Sequence, residues 1–366
     1  MGKIDELIKQ FCPNGVEVVE LGKIAKLVRG KVISKKYVLD NNGEYPVYSS
    51  QTSNNGEFGR IHTYMFDGDY VTWTTDGAYA GTVFRRTGKF NITNICGLIK
   101  LEVSSINVGF LYYWLAITAK KYVNRATDNP KLMSNVVATI KVPLPPLAVQ
   151  KKIVEILDTF TGMIDNLQKE LEQRQKQFEY YRSKFFAYNE DECDWFSLPM
   201  ISENCDRKRK PIKGSKREKG IYPYYGASGI VDYVKDYILD GEYLLISEDG
   251  ANLVARNTPI AFSIEGKNWV NNHAHVVKFN SLNDQRFVEY YFNSIDLTPW
   301  ISGGAQPKLN QENLNKILIP YPSVERRNII VDTLKSFEAL ISNIKQEIEL
   351  RQKQYEYYRE KLLTFE

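Results

Sequence analysis

Large apolar side chains recur at alternating four- and three-residue spacings along two stretches of this chain. In the first they fall at Ile153, Leu157, Phe160, Ile164, Leu167 and Leu171, then at Phe178, Tyr181 and Phe185. In the second they fall at Ile330, Leu334, Phe337, Ile341, Ile344 and Ile348, then at Tyr355, Tyr358 and Leu362. A heptad seam sustained this long predicts two helices with coiled-coil packing. Pro145-Pro146 and Pro320/Pro322 lie just ahead of the seams, where they predict extended, non-helical lead-ins. A helix from Ile153 to Phe185 would measure roughly 50 Å at 1.5 Å per residue. Both seams are interrupted at the same heptad position, by Arg174 and Arg351, each one turn after a glutamate, Glu170 and Glu347. Such an arginine is either a side chain snorkelling from the seam with an i,i+4 partner, or a polar residue that fixes register.

Either seam alone would leave about nine large apolar side chains in water, each worth roughly 1.5–3 kcal/mol on burial. The seams are therefore expected to pack on each other. Chain order makes the pairing antiparallel, since the first helix ends where a second globular region begins and the second helix returns. A dumbbell with pseudo-two-fold symmetry is the expected shape. Ile4, Leu7, Ile8 and Phe11 suggest a short N-terminal helix that mimics the end of the first long one.

The seams are two copies of one segment. Residues 140–188 align with 317–365 without a gap at an offset of 177, with 20 of 49 positions identical, which marks tandem structural units. The offset continues outside them, in Tyr45-Pro46-Val47-Tyr48 against Tyr222-Pro223-Tyr224-Tyr225 and Pro130-Lys131-Leu132 against Pro307-Lys308-Leu309. It slips to 173 where Phe66–Tyr70 matches Leu239–Tyr243. The globular regions thus share a scaffold and differ in loops, while their connectors stay alike. Short β-rich runs such as 70–74, 97–101, 243–246 and 275–279, Asp-Gly turns at Asp76-Gly77 and Asp249-Gly250, and aromatic helices over 110–117 and 287–292 make each region mixed α/β. The expected organisation is a short N-terminal helix (1–16), a first mixed domain (17–145), a long helix (146–188), a second mixed domain (189–322) and a second long helix (323–366). The fold class is α+β.

Composition changes this picture little. An apolar fraction of 43% with 25% charged residues is that of a folded chain. With no apolar run of membrane-spanning length and no signal-peptide core, a cytoplasmic protein is expected. Cys12, Cys96, Cys193 and Cys205 lack metal-ligand spacing and read as reduced thiols. A net charge of +4 permits a nucleic-acid partner only if basic residues cluster. They do: Lys31, Lys35 and Lys36 near the start of the first domain with Arg60 and Arg85 later, and Arg207, Lys208, Arg209 and Lys210 at the corresponding place in the second. Such runs read either as phosphate-tracking surfaces or as solvated loops. The loops carrying Lys131 in one domain and Gln306 and Lys308 in the other are a second corresponding pair, suited to base or phosphate contact or simply to turns. No phosphate loop, dinucleotide fingerprint or HExxH motif is present, and His273 with His275 lacks a completing ligand set, so no metal is expected. The residues describe a binding protein, not an enzyme, with no cofactor of its own. A two-headed adaptor or a glycan binder that leaves DNA alone is the alternative reading.

The whole chain resembles the specificity subunits of type I DNA restriction-modification systems. The resemblance is carried by PLPPLAVQKKIVEILD at 143–158, by its weaker echo PYPSVERRNIIVDTL at 320–334, and by a helical repeat after each domain. The echo departs from the pattern at Ser323 and Arg327, which stand where the first copy has proline and glutamine. The resemblance implies two target-recognition domains, each reading half of a bipartite, asymmetric sequence in double-stranded DNA, with the helices setting the unread spacer. It also implies two methyltransferase subunits and the motor-nuclease subunits as partners. S-adenosylmethionine and ATP would belong to those partners.

Overall fold

The computed structural model describes residues 6, 10, 12, 15–126, 128–189, 191–303 and 306–365. Of the expected N-terminal helix, the apolar positions Ile4, Leu7, Ile8 and Phe11 lie outside them. Two compact units emerge, one built from residues up to Leu167 together with 348–366, the other from 168–347.

In the first unit, strands Ala25–Arg29, Cys96–Leu101, Tyr70–Thr74 and Val83–Arg86 form one antiparallel sheet in that spatial order. A second sheet orders Glu57–Ile61, Asn42–Tyr48, Lys89–Ile92 and Phe66–Asp67, with one parallel pairing, Asn42–Tyr48 on Lys89–Ile92. Val18–Glu20 pairs with Lys141–Pro143. The central strand Tyr70–Thr74 is buried from Val71 onward because both of its faces are covered. Phe90, Ile92, Cys96 and Leu98 pack together in one apolar layer, while Val71, Trp73 and Ile99 join the helix Val108–Thr118 in another.

The second unit repeats the plan strand for strand. One sheet orders Glu203–Asn204, Ala274–Lys278, Tyr243–Ser247 and Ala261–Ile264; the other orders Gly229–Val234, Lys219–Gly226, Lys267–Val270 and Leu239–Asp240. The small pair is Asp194–Ser197 with Leu318–Tyr321, and the covering helix is Leu282–Ser294.

The two seams form helices Leu147–Phe185 and Val324–Leu362, each 39 residues and each begun earlier than the heptads alone require. Both contribute to both units. In the first unit Ile153, Leu157 and Leu362 enter the same core, and Phe160 stacks on Tyr358 with centroids 5.2 Å apart. In the second, Ile330 and Leu334 share a core with Phe178 and Phe186, and Tyr181 stacks on Phe337 at 5.4 Å. Arg326 lies over Phe185 and a groove joins Gln175 and Phe178 to Ile341 and Lys345, so the helices run antiparallel there. The two stacks are one contact repeated at the 177 offset. Ile164 and Ile348 are also buried, while Leu171 and Ile341 are partly so. The units divide inside the helices, at 167/168 and 347/348, and not at the helix ends, because each helix half completes a globular core.

Arg174 bonds Glu170 (3.3 Å) and Gln177 (3.0 Å), and Arg351 bonds Gln354 (2.9 Å). Each thus has partners on its own helix. The departure at Arg327 also has a structural reason. Gln150 is wholly buried, accepting from the Asn107 amide (2.7 Å) and donating to the carbonyls of Ser105 (2.9 Å) and Pro145 (2.7 Å). Arg327 does the same work one repeat later, bonding Asp284 (2.8 Å) and the Pro322 carbonyl. Both side chains tie a helix start to the domain beside it.

Candidate nucleic-acid interface

In the first unit, strand pairing sets the end of Ala25–Arg29 beside the loop after Thr93. Arg29 donates to the Asn94 carbonyl from Nε (3.0 Å) and Nη2 (2.8 Å), and Nη2 lies 3.9 Å from Asp76. Asp76-Gly77 does not close a tight two-residue hairpin turn. Its backbone instead meets the Pro130-Lys131-Leu132 segment: Gly77 donates to Pro130 (3.0 Å) and Leu132 to Thr75 (2.9 Å), and Lys131 bridges to Asn124. The two basic segments, far apart in sequence, are thereby brought to one place.

The second unit assembles the same trio with different chemistry. Gly250 donates to Pro307 (3.1 Å) and Leu309 to Glu248 (2.7 Å), so the Asp249-Gly250 connection receives Pro307-Lys308-Leu309. Arg209 donates to the Ala274 carbonyl (2.9 Å) and is also paired with Asp206 (3.2 Å) and Glu248. Lys308 reaches Glu248 at 3.2 Å. His275 is buried with Nδ1 2.7 Å from Asp206 and Nε2 2.8 Å from the Leu309 carbonyl, while the exposed His273 sits 2.9 Å from Asp249. Burial alone would push the carboxyls of Asp206 and Glu248 up. For Asp206 the His275 hydrogen bond and charge, the Val276 amide and Arg209 outweigh it; for Glu248 the Arg209 bond, the His275 charge and Lys308 do. Both carboxyls therefore lie below the usual range.

The other candidates divide by whether a partner holds them. Lys31, Lys35 and Lys36 are exposed without an ion pair among the described residues; Lys35 and Lys36 open a short helix, Lys35–Asp40, capped by Ser34. Lys131, Arg207, Lys210 and Gln306 are likewise exposed, and Lys208 stands 5.9 Å from the Tyr243 ring centroid. Arg60 is pinned by both carboxylate oxygens of Glu57 and by the Glu44 carbonyl (3.0 Å), and Arg85 by Asp158 (3.1 Å). Arg209 is enclosed by its carboxylates. These three guanidiniums have carboxylate partners within the chain, which the sequence run could not disclose. The 205–220 stretch is exposed over most of its length and is tied to the sheets at several points. Lys210 donates to Val270 (3.1 Å) and accepts from Trp269 (2.6 Å), and the Ile212 amide meets Tyr224 (2.9 Å). Gly304 and Ala305 lie outside the described residues. Asp206 and Glu248, which sequence reasoning missed, are flagged only by lying beside a basic run and an Asp-Gly pair. Among the described residues no three His, Cys, Asp or Glu side chains could hold a metal, and no helix is long and apolar enough to cross a membrane.

Comparison with known proteins agrees with this doubled plan. The family model for the type I restriction modification DNA specificity domain matches residues 13–174 and again 196–350. A putative type I specificity subunit of Mycoplasma pneumoniae is 31% identical over 96% of this chain and 98% of its own. The MpnII type I restriction enzyme specificity subunit of the same organism is 41% identical over 48% of this chain and 54% of its own. Among solved structures, a type I S subunit from M. genitalium superposes with a TM-score of 0.69 over 96% of this chain and 97% of that one, at 15% identity. A chain from a type I restriction-modification assembly gives 0.56 over 96% and 98%, at 14% identity. At such identities the structures speak for the fold alone. With both halves matched by the family model and a full-length relative above 30% identity, the chain belongs to the type I restriction-modification DNA specificity family and is the non-catalytic specificity subunit of such a system.

Proposed function

We propose that each unit reads one half of a bipartite, asymmetric sequence in double-stranded DNA. The reading surfaces are those around Arg29, Asp76 and Lys131 in the first unit and around Glu248, Lys308 and Gln306 in the second. The observation that carries this is one scaffold built twice with different polar groups at corresponding loops. Equal scaffolds dock equally on a duplex, and unequal side chains specify unequal bases. The exposed cations Lys31, Lys35, Lys36, Arg207, Lys208 and Lys210 track phosphates beside those loops. Two methyltransferase subunits dock on the outer faces of the long helices, where Tyr180 and Tyr357, 177 positions apart, are 60% and 55% exposed. Motor-nuclease subunits complete the restricting assembly. Catalysis, with S-adenosylmethionine and ATP, resides in those partners.

The test is an exchange of residues 17–139 for the corresponding unit of a relative with another target, assayed with the methyltransferase subunits present. Methylation mapping is expected to show one half of the target replaced and the other kept. A change in both halves would sink the modular reading.

A further inference from the structure

The two units disagree at one buried position in a way their shared scaffold does not require. In the first, Arg86 stands opposite Tyr70 in the sheet; at the same register in the second, Ile264 stands opposite Tyr243. Ile264 is part of an apolar cluster with Tyr225 and Phe262 packed against it. The corresponding residues around Arg86 are Tyr48 and Phe84, and the guanidinium lies over both rings, 3.6 and 4.3 Å from their centroids. Arg86 is only 2% exposed, yet Nη1 and Nη2 have no hydrogen-bond partner; Nε alone meets Thr72 Oγ1 at 3.3 Å. Leaving buried charged donors unpaired is costly, and the second unit shows that this scaffold folds with an isoleucine there.

A second difference falls at the same place. In the second unit the strands flanking Tyr225 are joined by Ala227 and Ser228 alone. In the first, the segment Ser49–Gly56 makes the connection and backs onto Arg86, so that a Cβ on Gly56 would come 3.0 Å from Nη2. Asn54, Asn55 and Gly56 all have positive φ (48°, 52° and 74°), which for the two asparagines is a strained conformation. The segment also adjoins the basic surface. Ser49 donates to the Gly56 carbonyl (3.1 Å) and accepts from the Thr93 hydroxyl (3.1 Å), and the next residue, Asn94, accepts both Arg29 bonds.

We propose that Arg86 is a specificity-determining residue of the first unit, presenting its guanidinium edge to a guanine of that unit's half-site when the 49–56 segment is displaced on DNA binding. The two rings hold the guanidinium plane, and its free Nη1 and Nη2 edge is the donor fork that matches guanine O6 and N7. This deepens the reading above and rests on it.

The experiment uses the assembly with methyltransferase subunits and a library of targets randomised in the first unit's half-site. Arg86→Ile takes the residue the second unit already uses. It is expected to keep the unfolding temperature or raise it, to keep the other half-site, and to lose roughly 5- to 150-fold discrimination at one guanine. A folded variant with every positional preference unchanged overturns the inference. So does a uniform loss over all sequences, which marks a phosphate contact, and so does failure to fold, which makes Arg86 scaffold. Replacing each guanine of that half-site with 7-deazaguanine against the unaltered assembly removes one acceptor without touching the protein. One position should then lose affinity, and no loss anywhere overturns the proposal independently. If the unaltered assembly shows no sequence preference in that half-site, it is the two-half reading that fails.

Discussion

At the scale of single residues, the second unit's surface is held by a buried ionic cluster. Asp206, with its side chain 7% exposed, accepts from His275, the Val276 amide and Arg209. Truncating it removes the nearer carboxylate from a buried imidazole and leaves the Arg209 guanidinium with Glu248 as its one carboxylate. Asp206→Ala is therefore expected to cost on the order of 3–5 kcal/mol, read as a fall in unfolding temperature. The pH dependence follows from the depressed carboxyls of Asp206 and Glu248. A group whose folded pKa is lowered contributes stability that is complete above its unfolded value and lost as pH falls through the folded one. Stability should thus decline on acidification below about pH 4, and Asp206→Asn should flatten that acid limb. An acid limb as steep as in the unaltered protein would show that other carboxylates govern it. This cluster was illegible in the sequence, because residues 206, 248 and 275 meet only through the pairing of three strands.

At the scale of elements, the heptad seams could be read directly, since apolar spacing at 3.5 residues has one structural solution. Leu157 and Leu334 are the same position of the repeat and both are wholly buried. Replacing either with Ala should cost about 2–5 kcal/mol by similar amounts, measured by denaturant unfolding. A cost at one site alone would mean the repeat is not energetically symmetric. Two aspartates, at Leu157 and Ile164, should abolish soluble folding altogether. The basic run was legible only as a cluster of charge. Its side chains divide into an enclosed one, Arg209, and exposed ones, Arg207, Lys208 and Lys210. Converting the exposed three to Ala should flatten the slope of log affinity against log salt, by up to about 0.9 for each phosphate no longer neutralised, with the unfolding temperature unchanged. Arg209→Ala should instead lower the unfolding temperature. The opposite division of effects would reverse these assignments.

At the scale of the whole molecule, the repeat announces two units, but not where each is completed. Tyr358, Leu362 and Leu363 belong to the first unit's core although they lie at the far end of the second long helix. Ending the chain at residue 347 should therefore expose the first unit to proteolysis and hydrogen exchange while leaving the second protected. Protection lost from the second unit instead would contradict this division. The sequence by itself determined the doubling, the mixed α/β class and the long helices, because these rest on periodicity and on residues aligned at a constant offset; the family resemblance was carried by the segments 143–158 and 320–334. Only the tertiary structure decided which cations have carboxylate partners, since those of Arg85 and Arg209 include residues far away in sequence. It alone showed Arg86 buried where the sister unit keeps an isoleucine. The offset slips between the anchors, and only the hydrogen-bonded register of paired strands aligns those two residues.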